Sequence, residues 1–465
     1  MNAPLIWIVL PIAISLILLF FRKYYYLICL LQIAFCLLIF ISAALSQYEV
    51  NSNSTFLNFL VSPEMNILGR SLIINKGLKA LLMLFYGALG FWSLAIYIIK
   101  LKSKIIPFGM AFIGLVIAAL AVEPFLYSAL ILEIAVIFSV LIVASADNTK
   151  IVGVSRYLIY FSIGMPFILL AGWYLAGGEI TPVNDEQLIQ AALLLGLGFV
   201  FWLAVFPFQS WVPLLSDEAN PVEGLFILTL LPIAIVALLM KYLNGFAWLR
   251  GYGPVFQALQ LFGLILIIAG SIWFSLQKNL RKAMGYLLLV SSGYMILGIS
   301  LNTSNGYVFS SYFMFLRMIC FFVLSWVIFL LEEESGIFQI SSLKSLFAKS
   351  PLLAFGLFLP LLSLTGMPFT LGFPVHQSIF SEFAVYMPRI NLLLIFCQII
   401  LAIRIITWIF NALKSDDEER TTKPGLPENI FVVSCILGLL IIGIFPNLFY
   451  PKISEIVNDL QFLVK

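Results

Sequence analysis

Apolar residues fall in long blocks separated by short polar joints, and the pattern repeats from one end of the chain to the other. Roughly 14 blocks occur, near 5–21, 25–46, 77–99, 105–122, 124–146, 152–177, 187–207, 221–243, 254–276, 282–301, 306–331, 351–372, 390–413 and 429–449. A helix of about 20 apolar residues crosses a hydrocarbon core of about 30 Å. A continuous apolar block in lipid satisfies its own backbone groups only as a helix, and no alternating strand pattern competes. The expected fold class is therefore all-α, a polytopic membrane protein with about 14 transmembrane helices. Composition agrees, since 62% of the 465 residues are hydrophobic and 10% are charged. A mean hydropathy of +1.10 is too high for a water-soluble globule.

Charge adds orientation. With the N-terminus outside, fifteen Lys and Arg residues fall in joints on the inner side, among them Lys100, Lys102, Lys104, Arg281 and Lys282. Eight fall outside, among them Arg70, Lys76, Lys241 and Arg250. The bias places both termini on the outer side, in an inner-membrane protein of bacterial type. The opening "MNAPLIWIVLPIA" has no basic leader, so it reads as a retained span. A net charge of +3 offers no nucleic-acid face. The five cysteines sit inside apolar blocks without a CxxC pair, which favours packing over metal or disulfide chemistry. The polar joints 47–76, 332–350 and 414–428 are too short for a catalytic fold and carry no phosphate loop. "EEE" at 332–334 and "DDEE" at 416–419 read as solvated loop charge, or as docking contacts.

Ionisable groups inside the blocks carry more information, because each costs about 2.5–3.5 kcal/mol to insert and is usually kept for a task. Glu133, Arg317 and Arg404 fall deep within their blocks. His376, the only histidine, follows the interruption "TGMPFTLGFP". Gly366, Pro368, Gly372 and Pro374 break that helix, and exposed backbone at such depth is tolerated only against protein or a wet cavity. A second break, "FPFQSWVP", contains Pro207 and Pro213. Two broken segments placed similarly in two halves point to a repeated transporter architecture. The plainer alternative is that these prolines end spans at the membrane surface. For His376 it is that the ring only satisfies a freed carbonyl.

Several stretches resemble the antiporter-like membrane subunits of respiratory complex I, shared with Mrp-type cation/proton antiporters and membrane-bound hydrogenases. "LYSALILEIAVIFSVLIVAS" is similar to the family's fifth helix, with Glu133 on its buried glutamate. "SRYLIYFSIGMPFILLAGWYLAG" and "GFVFWLAVFPFQSWVPLLSDEANPVEG" resemble the sixth and seventh, and "NLRKAMGYLLLVSSGYMILGI" the tenth. "PLLAFGLFLPLLSLTGMPFTLGFPVHQSIF" places His376 where the family has lysine or glutamate, and "LAIRIITWIF" places Arg404 on its arginine. The resemblance implies two inverted five-helix repeats with interrupted helices, near 105–243 and 254–413. They would be flanked by helices in 1–104 and by a C-terminal helix and tail in 414–465. It also implies proton or cation translocation along a wet row of buried titratable groups, coupled to electron transport in neighbouring membrane subunits.

The chain departs from that pattern at several places. The family's seventh-helix lysine aligns with Trp202, its eighth-helix lysine falls near Ala234 beside Pro232, and its tenth-helix histidine aligns with Ser291 or Ser292. The eleventh helix keeps only Arg317. Glu133 is left without a cationic partner, which suits a gated or vestigial site. Three readings stay open: a translocating subunit using His376 with Arg317, Arg404, Glu133 and Glu382; a scaffold subunit that conducts little; or a stand-alone secondary transporter. Arginine does not release protons, so Arg317 and Arg404 would act as gates or counter-charges. No catalytic site, metal or cofactor is expected in this chain, and any quinone reductase activity would belong to the assembly. The expected partners are other membrane subunits, lipid, and protons or monovalent cations, without nucleic acid.

Overall fold

A computed structural model of the chain describes residues 2–48, 59–67, 69–144, 151–175, 185–335, 339–414 and 425–458. A π-helical turn, Leu5–Val9, leads into α1 (Leu10–Phe20), followed by α2 (Tyr25–Leu45), α3 (Lys76–Ile99), α4 (Ile105–Ala121), α5 (Tyr127–Val143) and α6 (Val152–Leu175). Then come α7 (Asp185–Trp202), α8 (Trp211–Glu218), α9 (Pro221–Gly245), α10 (Ala247–Gly251), α11 (Gly253–Leu276), α12 (Leu280–Ser300) and α13 (Ser304–Ser335). The chain closes with α14 (Leu346–Lys349), α15 (Pro351–Leu364), α16 (Phe373–Tyr386), α17 (Pro388–Leu413), α18 (Leu426–Ile444) and α19 (Tyr450–Asn458). Among the described residues, nine helices are long and apolar enough to cross a membrane: α2, α3, α6, α9, α11, α12, α13, α17 and α18. Five shorter apolar helices of 10–17 residues accompany them, so a count near 14 requires these to span as well.

Local chemistry starts the helices where the polar joints stop. Asn75 caps α3 by accepting from the Leu78 amide at 2.9 Å. Asn220 caps α9 through the Val222 amide at 3.0 Å, with Pro221 pre-set for the first turn. Asn279 does the same for α12 at the Lys282 amide.

Burial sorts the helices into centre and rim. The apolar windows of α9 and α12 are each 94% buried, whereas those of α2, α17 and α18 are mostly turned outward. Outward apolar side chains such as Phe20, Phe91 and Leu392 are what a lipid-facing wall requires. Glycines let α12 approach α13 closely: a Cβ on Gly298 would lie 2.8 Å from the Gly306 carbonyl oxygen.

Both interrupted segments continue as helix beyond the break. After α7 the chain passes Ala204, at φ 56°, and a 3₁₀ turn at Phe208–Ser210 before α8. After α15 it passes Gly366 at φ 67° and Phe369 at φ 64° before α16.

The polar joint 47–76 contains a hairpin of β3 (Glu64–Ile67) and β4 (Arg70–Ile73), which β5 (Val122–Glu123) joins antiparallel, and β1 (Ser46–Gln47) pairs with β2 (Phe59–Leu60). Strands of two to four residues are too short to leave an alternating pattern. "DDEE" at 416–419 lies outside the described residues.

Candidate functional site

The break between α15 and α16 builds a pocket around His376. The ring is 1% exposed, and its Nδ1 lies 2.9 Å from the Gly372 carbonyl oxygen. A carbonyl only accepts, so this contact assigns the neutral ring's proton to Nδ1 and leaves a lone pair on Nε2. Nε2 has no hydrogen-bond partner among the described residues. Tyr294 and Phe313 meet the ring edge-on at 4.9 Å, and Phe380 at 6.1 Å. The ring lines a cavity of about 280 Å³ together with Gly366, Pro368, Gln377, Gln398 and Ala402.

The break's glycines are there for space. A Cβ on Gly366 would lie 2.5 Å from the imidazole Cγ, and one on Gly372 would lie 1.8 Å from the Ser363 carbonyl oxygen. Gln398 on α17 donates to the Thr365 carbonyl, which the end of α15 leaves without a helical partner. Pro374 starts α16, and Ser378 donates back to its carbonyl at 2.7 Å. Tyr450 on α19 donates to the Leu371 carbonyl at 2.9 Å, so the C-terminal helix also pins the break.

Arg317 stands one helical turn from Phe313 on α13 and is 1% exposed. Its Nη2 donates to the Leu228 carbonyl at 2.6 Å and its Nε to the Thr229 carbonyl at 3.3 Å. Its Nη1 reaches the Leu288 carbonyl at 2.7 Å, the Ser292 hydroxyl at 2.9 Å and the Ser291 hydroxyl. Pro232 lacks an N–H, so the carbonyl four residues earlier, Leu228, has no helical donor and is open to the guanidinium. Ser291 and Ser292 thus hold Arg317.

Glu133 sits apart on α5. It accepts from Ser162 of α6 at 2.5 Å, while its Oε2 has no partner. Trp202 is buried at the end of α7, donates from Nε1 to the Phe161 carbonyl at 3.1 Å, and stacks on that ring. Ala234 is buried in α9, half a turn past Pro232. Arg404 donates to the carbonyl of Gln277, the residue that follows α11, and lies 5.7 Å from the Trp408 ring. Glu382 accepts from Asn305 at the start of α13 at 2.9 Å. Pro207 precedes the 3₁₀ turn, and Pro213 in α8 packs so closely on α12 that a Cβ on Gly285 would lie 2.5 Å from its Cα. The structure therefore sets His376 of α16 against Tyr294 and Phe313, one turn along α12 and α13 from the contacts of Arg317, and leaves Glu133, Arg404 and Glu382 at separate contacts.

Two polar clusters escaped the sequence reading. Glu332 is not solvated: it is 9% exposed and pairs through two contacts with Arg281, which also donates to the Asp217 and Ala219 carbonyls at 3.2 Å. Lys282 approaches Asp217 at 3.4 Å, so the ends of α8, α12 and α13 are tied by charge. Lys241, counted above with the outer joints, lies within α9, donates to the Leu120 carbonyl at 2.7 Å and approaches Glu123 at 3.9 Å. None of these three ion pairs includes Glu133, Arg317, His376 or Arg404.

Comparison with known proteins places this geometry. The chain resembles over nearly its full length one chain of an archaeal membrane-bound sulfane sulfur reductase, at TM-score 0.80 and 16% identity, covering 98% of both. It resembles a chain of respiratory complex I from Thermus thermophilus at TM-score 0.76 and 18% identity, covering 99% of both. A chain of the Mrp complex from Dietzia gives TM-score 0.75 at 13% identity, covering 100% and 99%. At these identities the likeness shows the fold alone. Among curated relatives, NADH-quinone oxidoreductase subunit N 1 of Herpetosiphon aurantiacus is 26% identical over 286 residues, 59% of this chain and 58% of that protein. Subunit N 2 of Syntrophobacter fumaroxidans is 27% identical over 235 residues, 48% and 49%. The chain thus spans about half the length of the curated relatives it matches. Residues 82–402, which include Glu133, Arg317 and His376, match the family described as "NADH:quinone oxidoreductase/Mrp antiporter, TM". With more than half of its length covered by that match, the chain belongs to the NADH:quinone oxidoreductase/Mrp antiporter transmembrane family.

Proposed function

We propose that this chain is an antiporter-like membrane subunit of a complex I-related assembly, and that it takes part in proton translocation at His376. Two inverted repeats, near 105–243 and 254–413, would supply the scaffold, with both termini on the outer side of a bacterial inner membrane. The observation that carries the reading is the imidazole itself. It is buried, its Nε2 has no partner among the described residues, and it lines a cavity large enough for water at a helix break. With a proton on Nδ1 and an open lone pair on Nε2, the ring can take up a proton at one nitrogen and release one from the other. Arg317 and Arg404 hold their protons and act only through charge.

A second reading has its own support. Trp202 fills its site by stacking, and Glu133 has only a hydroxyl partner, so the first repeat offers few exchange sites and would serve as scaffold. Proton uptake by the assembled complex in proteoliposomes separates the two. In the translocating reading, His376→Ala and His376→Gln both lower uptake while the complex still assembles. Unchanged uptake in an intact His376→Gln complex leaves the scaffold reading.

A further inference from the structure

A buried arginine is costly in a membrane span, and among the described residues no carboxylate pairs with Arg317. Its guanidinium meets five oxygens, three at Nη1 and one each at Nε and Nη2: the carbonyls of Leu228 and Thr229 on α9, the carbonyl of Leu288, and the hydroxyls of Ser291 and Ser292 on α12. The freed Leu228 carbonyl alone does not account for the residue, since a non-proline residue at 232 would satisfy that carbonyl within the helix. Two locally unfavourable choices, Pro232 and Arg317, fit each other across the contact between α9 and α13. The group sits at α9 and α12, whose apolar windows are each 94% buried, the highest among the nine long apolar helices of the described residues.

We propose that Arg317 is a fixed plug: its guanidinium fills and charges the junction of α9, α12 and α13, closing it to water and to proton passage. Three properties serve that role. The group occupies oxygens that water would otherwise bridge, it has no lone pair to accept a proton, and its positive charge repels an excess proton in a low-dielectric setting. The stacked rings of Tyr294 and Phe313 lie on its His376 side and add an apolar layer. Proton exchange at His376 is then confined to the cavity bordered by α17.

The inference rests on the preceding reading only in naming protons as what the plug holds back; closure to water is tested separately. In the first arm, Ser292→Cys is made in the full chain with Arg317 intact, and the assembled complex is treated with water-soluble methyl methanethiosulfonate. Modification of the peptide containing residue 292 is read by mass spectrometry, against the same complex opened in SDS. The plug predicts no modification before SDS, and modification in the native complex overturns it. In the second arm, passive proton leak is measured in proteoliposomes of the Arg317→Ala complex. Truncation leaves a polar cavity able to hold water, and leak should rise about tenfold. Added guanidinium ion, but not tetramethylammonium, should suppress it. An assembled Arg317→Ala complex with unchanged leak overturns the proposal, and if that variant does not assemble the Ser292→Cys arm decides. Neither arm depends on whether His376→Ala lowers uptake.

Discussion

Tyr294 and Phe313 stack with ring centroids 5.0 Å apart and 1° between their planes. Each also meets His376 edge-on at 4.9 Å. One turn along α12 and α13, Ser291 and Arg317 meet. The stacked pair thus packs on the imidazole one turn from the guanidinium contacts, held by dispersion and edge contacts.

Removing one ring of that layer should cost stability in the usual range for a large core truncation. Phe313 is 2% exposed, so Phe313→Ala is expected to destabilise the chain by about 3–4 kcal/mol. Phe313→Leu should cost less than half of that. Unfolding midpoints in an SDS titration of the purified complex check the order, and equal losses for both variants would show that the ring contributes no specific packing.

Gly366 is fixed by two constraints at once. Its φ of +67° disfavours any side chain, and a Cβ would overlap the imidazole. Gly366→Ala is expected to cost about 2–4 kcal/mol and to turn the His376 ring away from Gly372. Gly366→Asn relieves the backbone cost but keeps the overlap, so it should disturb the ring as much as alanine does. A wild-type imidazole spectrum in either variant would contradict the contact.

The pair of Arg281 with Glu332 predicts strong coupling. Glu332→Gln leaves Arg281 short of its counter-charge at the buried end of α13, and a loss of about 3 kcal/mol is expected. The double change Arg281→Met with Glu332→Leu should recover part of that loss. A thermodynamic cycle measured by SDS unfolding tests this, and additive single losses would mean that the two side chains act independently.

The helical membrane fold and the break at His376 were legible because lipid imposes block lengths and because Gly and Pro punctuate a helix in any context. The environment of Arg317 was not legible, since three of its five acceptor oxygens are backbone carbonyls, and a carbonyl carries no residue identity. Pro232 was visible beside Ala234, but its consequence for Leu228 appears only when α13 is packed against α9. Glu332 was misread because three successive glutamates look alike in sequence, while the structure buries the first against Arg281 and exposes Glu333. Lys241 was assigned to a joint for a similar reason: it lies one turn from the end of α9, where sequence boundaries are least certain.

The proposed function requires the imidazole at the broken helix to exchange protons with water inside the membrane. His376 is the only histidine, so histidine-selective ¹⁵N labelling gives the signals of a single ring. In the assembled complex moved into D₂O, the account predicts loss of the ring N–H within minutes, with Nε2 as the entry point for the incoming deuteron. A ring proton that persists for hours in an intact complex would contradict it.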